Sequence, residues 1–89
     1  MKYLHQILKL KKGAHIKVHF NQSCKILILT RLNYNLYKDH ITHNYYGGIF
    51  EKSPFEFEIP SNGEWHIVIE RGSYFEPKNI VASVTILSS

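Results

Sequence analysis

The chain has 89 residues, 44% hydrophobic and 20% charged, which suits one domain around one core and excludes a disordered segment. Its one cysteine, Cys24, excludes an internal disulfide and fits a reducing compartment, so a cytoplasmic location is expected. The longest apolar run covers only residues 26–29, so neither a helical membrane span nor a secretory leader is expected.

The net charge of +4 is unevenly spread. Residues 1–48 hold eight Lys/Arg (Lys2, Lys9, Lys11, Lys12, Lys17, Lys25, Arg31 and Lys38) against Asp39, whereas residues 49–89 hold three against six Glu. Such asymmetry can steer an anionic partner. The alternative is that interleaved strands mix the charges in space.

Along the chain, period-2 alternation dominates. Residues 2–10 are expected to form a strand with Leu4, Leu8 and Leu10 inward, although Ile7 breaks the alternation. After a Lys12-Gly13 turn, Ile16, Val18 and Phe20 share one face, with His15, Lys17 and His19 opposite. A turn at Asn21-Gln22-Ser23 leads to residues 25–30 (KILILT), apolar on both faces as a central strand would be. Residues 55–59 (FEFEI) alternate cleanly between Pro54 and Pro60, two residues that cannot sit within a ladder. The Pro60-Ser61-Asn62-Gly63 turn precedes residues 64–70, where Trp65, Ile67 and Ile69 share a face and Trp65 is expected in the core. A turn at Arg71-Gly72-Ser73 precedes a last strand over residues 79–87, with Ile80, Ala82, Val84 and Ile86 on one side.

Many short strands with frequent turns predict an all-β fold. The expectation is a single antiparallel β-sandwich over residues 1–89, jelly-roll-like, with about six to eight strands. Residues 32–50 (LNYNLYKDHITHNYYGGIF) keep no period and no amphipathic helical pattern, so they are expected to form one long irregular loop. Within it, the Gly47-Gly48 pair is expected to serve a turn, with a glycine-lined pocket wall as the alternative.

Several pieces together carry a resemblance. They are the opening Met1-Lys2-Tyr3-Leu4-His5, the Gly13 turn before an alternating strand, and Tyr34 and Tyr37. They also include Tyr45-Tyr46-Gly47-Gly48, the run from Pro60 through Gly63 and Trp65 to Glu70, and the closing β-run. The chain resembles the small bacterial domain of unknown function DUF1883 over nearly its whole length. The resemblance implies a compact β-sandwich and no known reaction. The resemblance further implies relatives that stand alone or are fused to TIR-type signalling or effector domains, and with them a recognition module in bacterial defence or signalling.

The long loop is the candidate ligand-binding site. Tyr34, Tyr37, Tyr45 and Tyr46 offer flat faces with hydrogen-bonding tips. Arg31, Lys38, His40 and His43 offer cationic donors, the histidines only when protonated. Aromatics interleaved with cations suit a small anionic, nucleotide-like ligand or a protein hot spot. Alternatively, the tyrosines close one end of the sandwich as part of its core.

The expected function is therefore a non-enzymatic recognition or sensing module for a partner protein or such a ligand. Nonspecific nucleic-acid binding and homo-oligomerisation through edge strands are alternatives. A small hydrolase built on Asp39, His40 and His43 is placed last, and Cys24 is expected to be buried and inert. No cofactor is expected. His15 and His19 on one strand lie roughly 13 Å apart, too far to share one zinc, and His40 and His43 lack further ligands.

Overall fold

The computed structural model describes residues 3–70 and 80–87. The alternation becomes β1 (Tyr3–Leu10), β2 (His15–Phe20), β3 (Cys24–Thr30), β4 (Tyr46–Phe50), β5 (Phe55–Glu58), β6 (Gly63–Glu70) and β7 (Ala82–Leu87), with a helix α1 (Arg31–Lys38) between β3 and β4. One antiparallel sheet runs β1-β6-β3-β4 and the other β5-β2-β7. Among these strands, only β3 and β4 are sequence neighbours that also pair. The chain otherwise crosses between sheets, which stacks them as the expected sandwich. No helix among the described residues is long and apolar enough to cross a membrane.

The inner faces meet as alternation predicts. Ile16, Val18 and Phe20 of β2 oppose Trp65, Ile67 and Ile69 of β6 and Ile26 and Ile28 of β3, with Leu4, Leu8 and Leu10 of β1 alongside. Ile7, which breaks the alternation, points outward opposite His66 and is 52% exposed. β3 lies between β6 and β4 and is buried on both faces. Its outward Leu27 and Leu29 form a second cluster with Val68 of β6, covered by Tyr3, Tyr34 and Tyr37. That outer cluster is the seat of α1.

Residues 32–50 are not one irregular loop. They divide into α1, a short coil over 39–45, and β4. Thr30 caps α1, its Oγ1 accepting from the Asn33 backbone N–H at 3.3 Å. No α1 residue is fully buried, and its eight residues span about two turns, too short a pattern to announce a helix. Gly47-Gly48 forms no turn either, since both glycines lie within β4. β7 begins at Ala82, later than the expected position 79. Ile80 is buried, while Ile86, expected inward, is 51% exposed on an edge strand flanked on one side only. Asn79 and the Arg71-Gly72-Ser73 turn lie outside the described residues.

The C-terminus of α1 closes with paired reverse bonds. The Ile41 N–H donates to Leu36 O at 2.8 Å and the His40 N–H to Tyr37 O at 3.0 Å. This closure puts His40 at φ 61, a left-handed conformation that glycine adopts without strain. His40→Gly is therefore expected to stabilise the fold by about 0.5–1 kcal/mol, the relieved strain exceeding glycine's extra unfolded-state entropy. A urea midpoint that rises agrees. One that falls means the imidazole makes contacts worth more than the strain.

Candidate functional site

Alternation sends a second set of β1 and β6 residues away from the core. Pairing brings Tyr3 opposite Glu70, His5 opposite Val68 and Ile7 opposite His66 on the outer face of the four-stranded sheet. Helix α1 lies across this face and presents Tyr34 and Tyr37, spaced i, i+3 on one side of the helix.

At the centre, His5 Nε2 and His66 Nδ1 share a 2.8 Å hydrogen bond. Their ring centroids are 5.0 Å apart with planes 13° apart, so the two imidazoles lie edge to edge in nearly one plane. Tyr34 covers both, at 4.2 Å from His5 and 4.4 Å from His66, tilted by 13° and 10°. His66 is 4% exposed, and its Nε2 lies 3.1 Å from Glu64 Oε2. Arg31 approaches the same carboxylate oxygen at 3.8 Å. An ionised Glu64 can only accept, so the neutral His66 carries its proton on Nε2 and accepts at Nδ1 from His5. Burial, then the neighbouring His66, lowers the affinity of His5 for a proton.

Towards the C-terminal end of α1, the Tyr3 and Tyr34 hydroxyls share a 3.0 Å bond and the Tyr37 O–H donates to Glu70 Oε2 at 2.9 Å. Burial and the bond to Tyr3 push the Tyr34 phenol up to about 12. Burial and the Glu70 carboxylate raise that of Tyr37 further. Both therefore act as neutral hydroxyls at physiological pH.

Two concavities adjoin here. One, of about 320 Å³, is lined by Tyr3, Tyr37, Lys38, His40 and Glu70. The other, of about 440 Å³, is lined by Lys25, Tyr37, His43 and Tyr45 among others, and shares Tyr37 and His40 with the first. Lys25 Nζ sits 5.4 Å from the Tyr45 ring centroid and 4.0 Å from Glu70 Oε1. The His43 Nδ1–H donates to Ile41 O at 2.9 Å, which leaves Nε2 of its neutral ring as an acceptor.

Of the candidate residues, Tyr37, Lys38, His40, His43 and Tyr45 come together. Tyr34 sits beside them as the cover of the histidine pair. Tyr46 does not join, because its register opposite Ile28 turns it to the inner side, where it meets Phe57 at 5.1 Å and Trp65 at 6.1 Å. Arg31 does not join either, since it occupies the other end of α1 beside Glu64.

Sequence reasoning missed Tyr3, His5, Glu64, His66 and Glu70. Their signal is the polar half of the alternation in β1 and β6, which is easily passed over when only the apolar half is used to place the core.

The charge asymmetry of the sequence largely cancels in space. Lys17–Glu56 at 3.1 Å, Lys25–Glu70 and Arg31–Glu64 each join a cation of the first half to a glutamate of the second. Among the described residues, no three His, Cys, Asp or Glu side chains group closely enough to hold a metal ion.

The site can thus hold a planar group against tyrosine faces with lysine ammonium donors at its rim. No curated protein and no solved structure matches the chain. A family model does, over residues 1–85, and the chain accordingly belongs to the family described as a domain of unknown function, DUF1883.

Proposed function

We propose that the domain is a non-catalytic recognition module. Its ligand is a small anionic molecule with a planar ring, nucleotide-like in character, held in the adjoining concavities at the C-terminal end of α1. The observation that carries this reading is the shared wall of Tyr37 and His40, with Lys38 on one side and Lys25 and Tyr45 on the other. A ring stacks on a tyrosine face, and the anion meets the ammonium groups of Lys38 and Lys25. Glu70 does not oppose this strongly, because Tyr37 and Lys25 already engage its oxygens.

The more enclosed, partly polar concavity beside Lys38 favours a small ligand over a protein partner, while the shallower one beside Tyr45 offers a ring face. The ion pairs between neighbouring elements argue against a continuous cationic stripe for nucleic acid. In this reading the domain acts as a cytoplasmic sensor in bacterial defence or signalling.

Calorimetric titration with adenosine and guanosine monophosphates, at low and raised salt, tests it. Saturable binding is expected, weakened roughly 10-fold or more by Lys38→Ala and by Tyr45→Ala, each of which removes an interaction worth about 1–3 kcal/mol. Arg31→Ala, at the far end of α1, is expected to leave affinity unchanged. Absence of saturable binding at millimolar concentration, or equal affinity in Lys38→Ala, would overturn the proposal.

A further inference from the structure

We infer that the coplanar His5–His66 pair beneath Tyr34 is a one-proton switch, which undocks α1 from the sheet in mildly acidic solution. The geometry sets the limit of one proton. With Glu64 accepting from His66 Nε2–H, the neutral pair has His5 Nε2–H donating to His66 Nδ1 across 2.8 Å. A first proton on His5 Nδ1 leaves this bond intact, although burial beneath Tyr34 disfavours it. A second proton must go to His66 Nδ1. That sets N–H against N–H and places two imidazolium rings 5.0 Å apart under an aromatic cover. The doubly protonated pair therefore separates.

The surrounding groups do not remove this conflict. On β6, the Glu64 carboxylate accepts from His66 and is shared by Arg31 of α1. Glu70 lies two strand positions beyond Val68 and is engaged by Tyr37 of α1 and Lys25 of β3. From β1, Tyr3 contributes a neutral hydroxyl and Lys9 a cation opposite Glu64. From β3, the residue opposite His66 is the uncharged Leu29.

The lowered proton affinity of His5 agrees in sign. A histidine whose folded-state pKa lies below its unfolded value stabilises the docked state above the ordinary imidazole pKa. That stability is lost as pH falls through and below about 6.5. Helix α1 is the element that yields, because none of its residues is fully buried and Tyr34 and Tyr37 anchor it. Undocking carries Tyr37, Lys38 and His40 away from the sheet, so the concavities are lost with it.

The test needs no ligand and is independent of the proposed binding. Amide hydrogen exchange of Asp39, His40 and Ile41, whose N–H groups close the helix, is compared with that of β3 and β6 at pH 7.5 and 5.0. Excluding one proton from the docked pair predicts a loss of relative protection of about 30-fold at the lower pH. In His5→Gln, whose amide can donate to or accept from His66 Nδ1, the loss is expected to stay under about twofold. Imidazole ¹⁵N shifts of the wild-type protein are expected to titrate in two separated steps, the second accompanying the loss of helix protection. Unchanged protection in the wild type, an equal loss in His5→Gln, or a single shared step would overturn the inference.

Discussion

Gly47→Ala is expected to detach β4 from the four-stranded sheet and to cost about 3 kcal/mol or more. A Cβ at this position would stand 2.1 Å from the Ile26 carbonyl oxygen. That oxygen belongs to the backbone of β3, which is buried on both faces and pinned by β6 on its other side, so it has little room to yield. The φ of +125° adds strain for any residue with a side chain. The neighbouring Gly48 supplies the control. It also has a positive φ, +153°, but a Cβ there meets nothing within 4 Å, so Gly48→Ala should cost only about 1 kcal/mol. Urea denaturation followed by far-UV circular dichroism separates the two. Equal midpoints would mean that β4 needs backbone freedom and not close approach. Tyr45, immediately before β4, lines the second concavity, so Gly47→Ala should also weaken the nucleotide binding proposed above, with Gly48→Ala again the milder variant.

Much of the sandwich is legible in the sequence because alternation is local and one face is always apolar. Ile16-Val18-Phe20 and Trp65-Ile67-Ile69 announce their strands and their inward faces without any knowledge of their partners. The two-faced burial of β3 follows from KILILT in the same way. Helix α1 is less legible for a physical reason. It spans eight residues, and the side it lays on the sheet is made of Tyr34 and Tyr37, while Leu32 is 69% exposed. A helix of about two turns, seated by tyrosines onto a sheet with its own histidines, gives too short a pattern to read, and only Thr30 signals its start.

The histidine pair is illegible for a different reason. His5 and His66 meet because β1 pairs with β6, a contact across 61 residues of sequence that no local pattern encodes. The same pairing explains why the basic first half and acidic second half do not make a polarised molecule. Each sheet interleaves strands from both, and the charges meet as exposed or half-exposed pairs, each worth little to stability.

Trp65→Ala is the second substitution expected to act strongly, at about 3–5 kcal/mol. Trp65 is 2% exposed on the inner face of β6, opposite Leu8 of β1 and Thr30 of β3. Its indole N–H donates to Ser61 O at 3.0 Å, tying the turn before β6 to the strand. Truncation leaves a void among Leu8, Tyr46 and Phe57 and removes that tie. A domain of this size has roughly 5–10 kcal/mol in hand, so the variant should sit near the edge of folding at 25 °C. Trp65→Phe, which refills part of the space without the donor, should cost distinctly less. Trp65 is the only tryptophan, so circular dichroism must replace fluorescence as the probe in both variants. A small loss in Trp65→Ala would show that the inner face can close over the gap, with Tyr46 as the side chain placed to fill it. The strand couples two sites as well. Trp65 and His66 are consecutive on β6, one facing the core and the other facing Tyr34, so a shift of β6 into the void also pulls His66 away from His5. Trp65→Phe is therefore expected to keep the 2.8 Å imidazole bond, and the two-step titration it produces, where Trp65→Ala loses both.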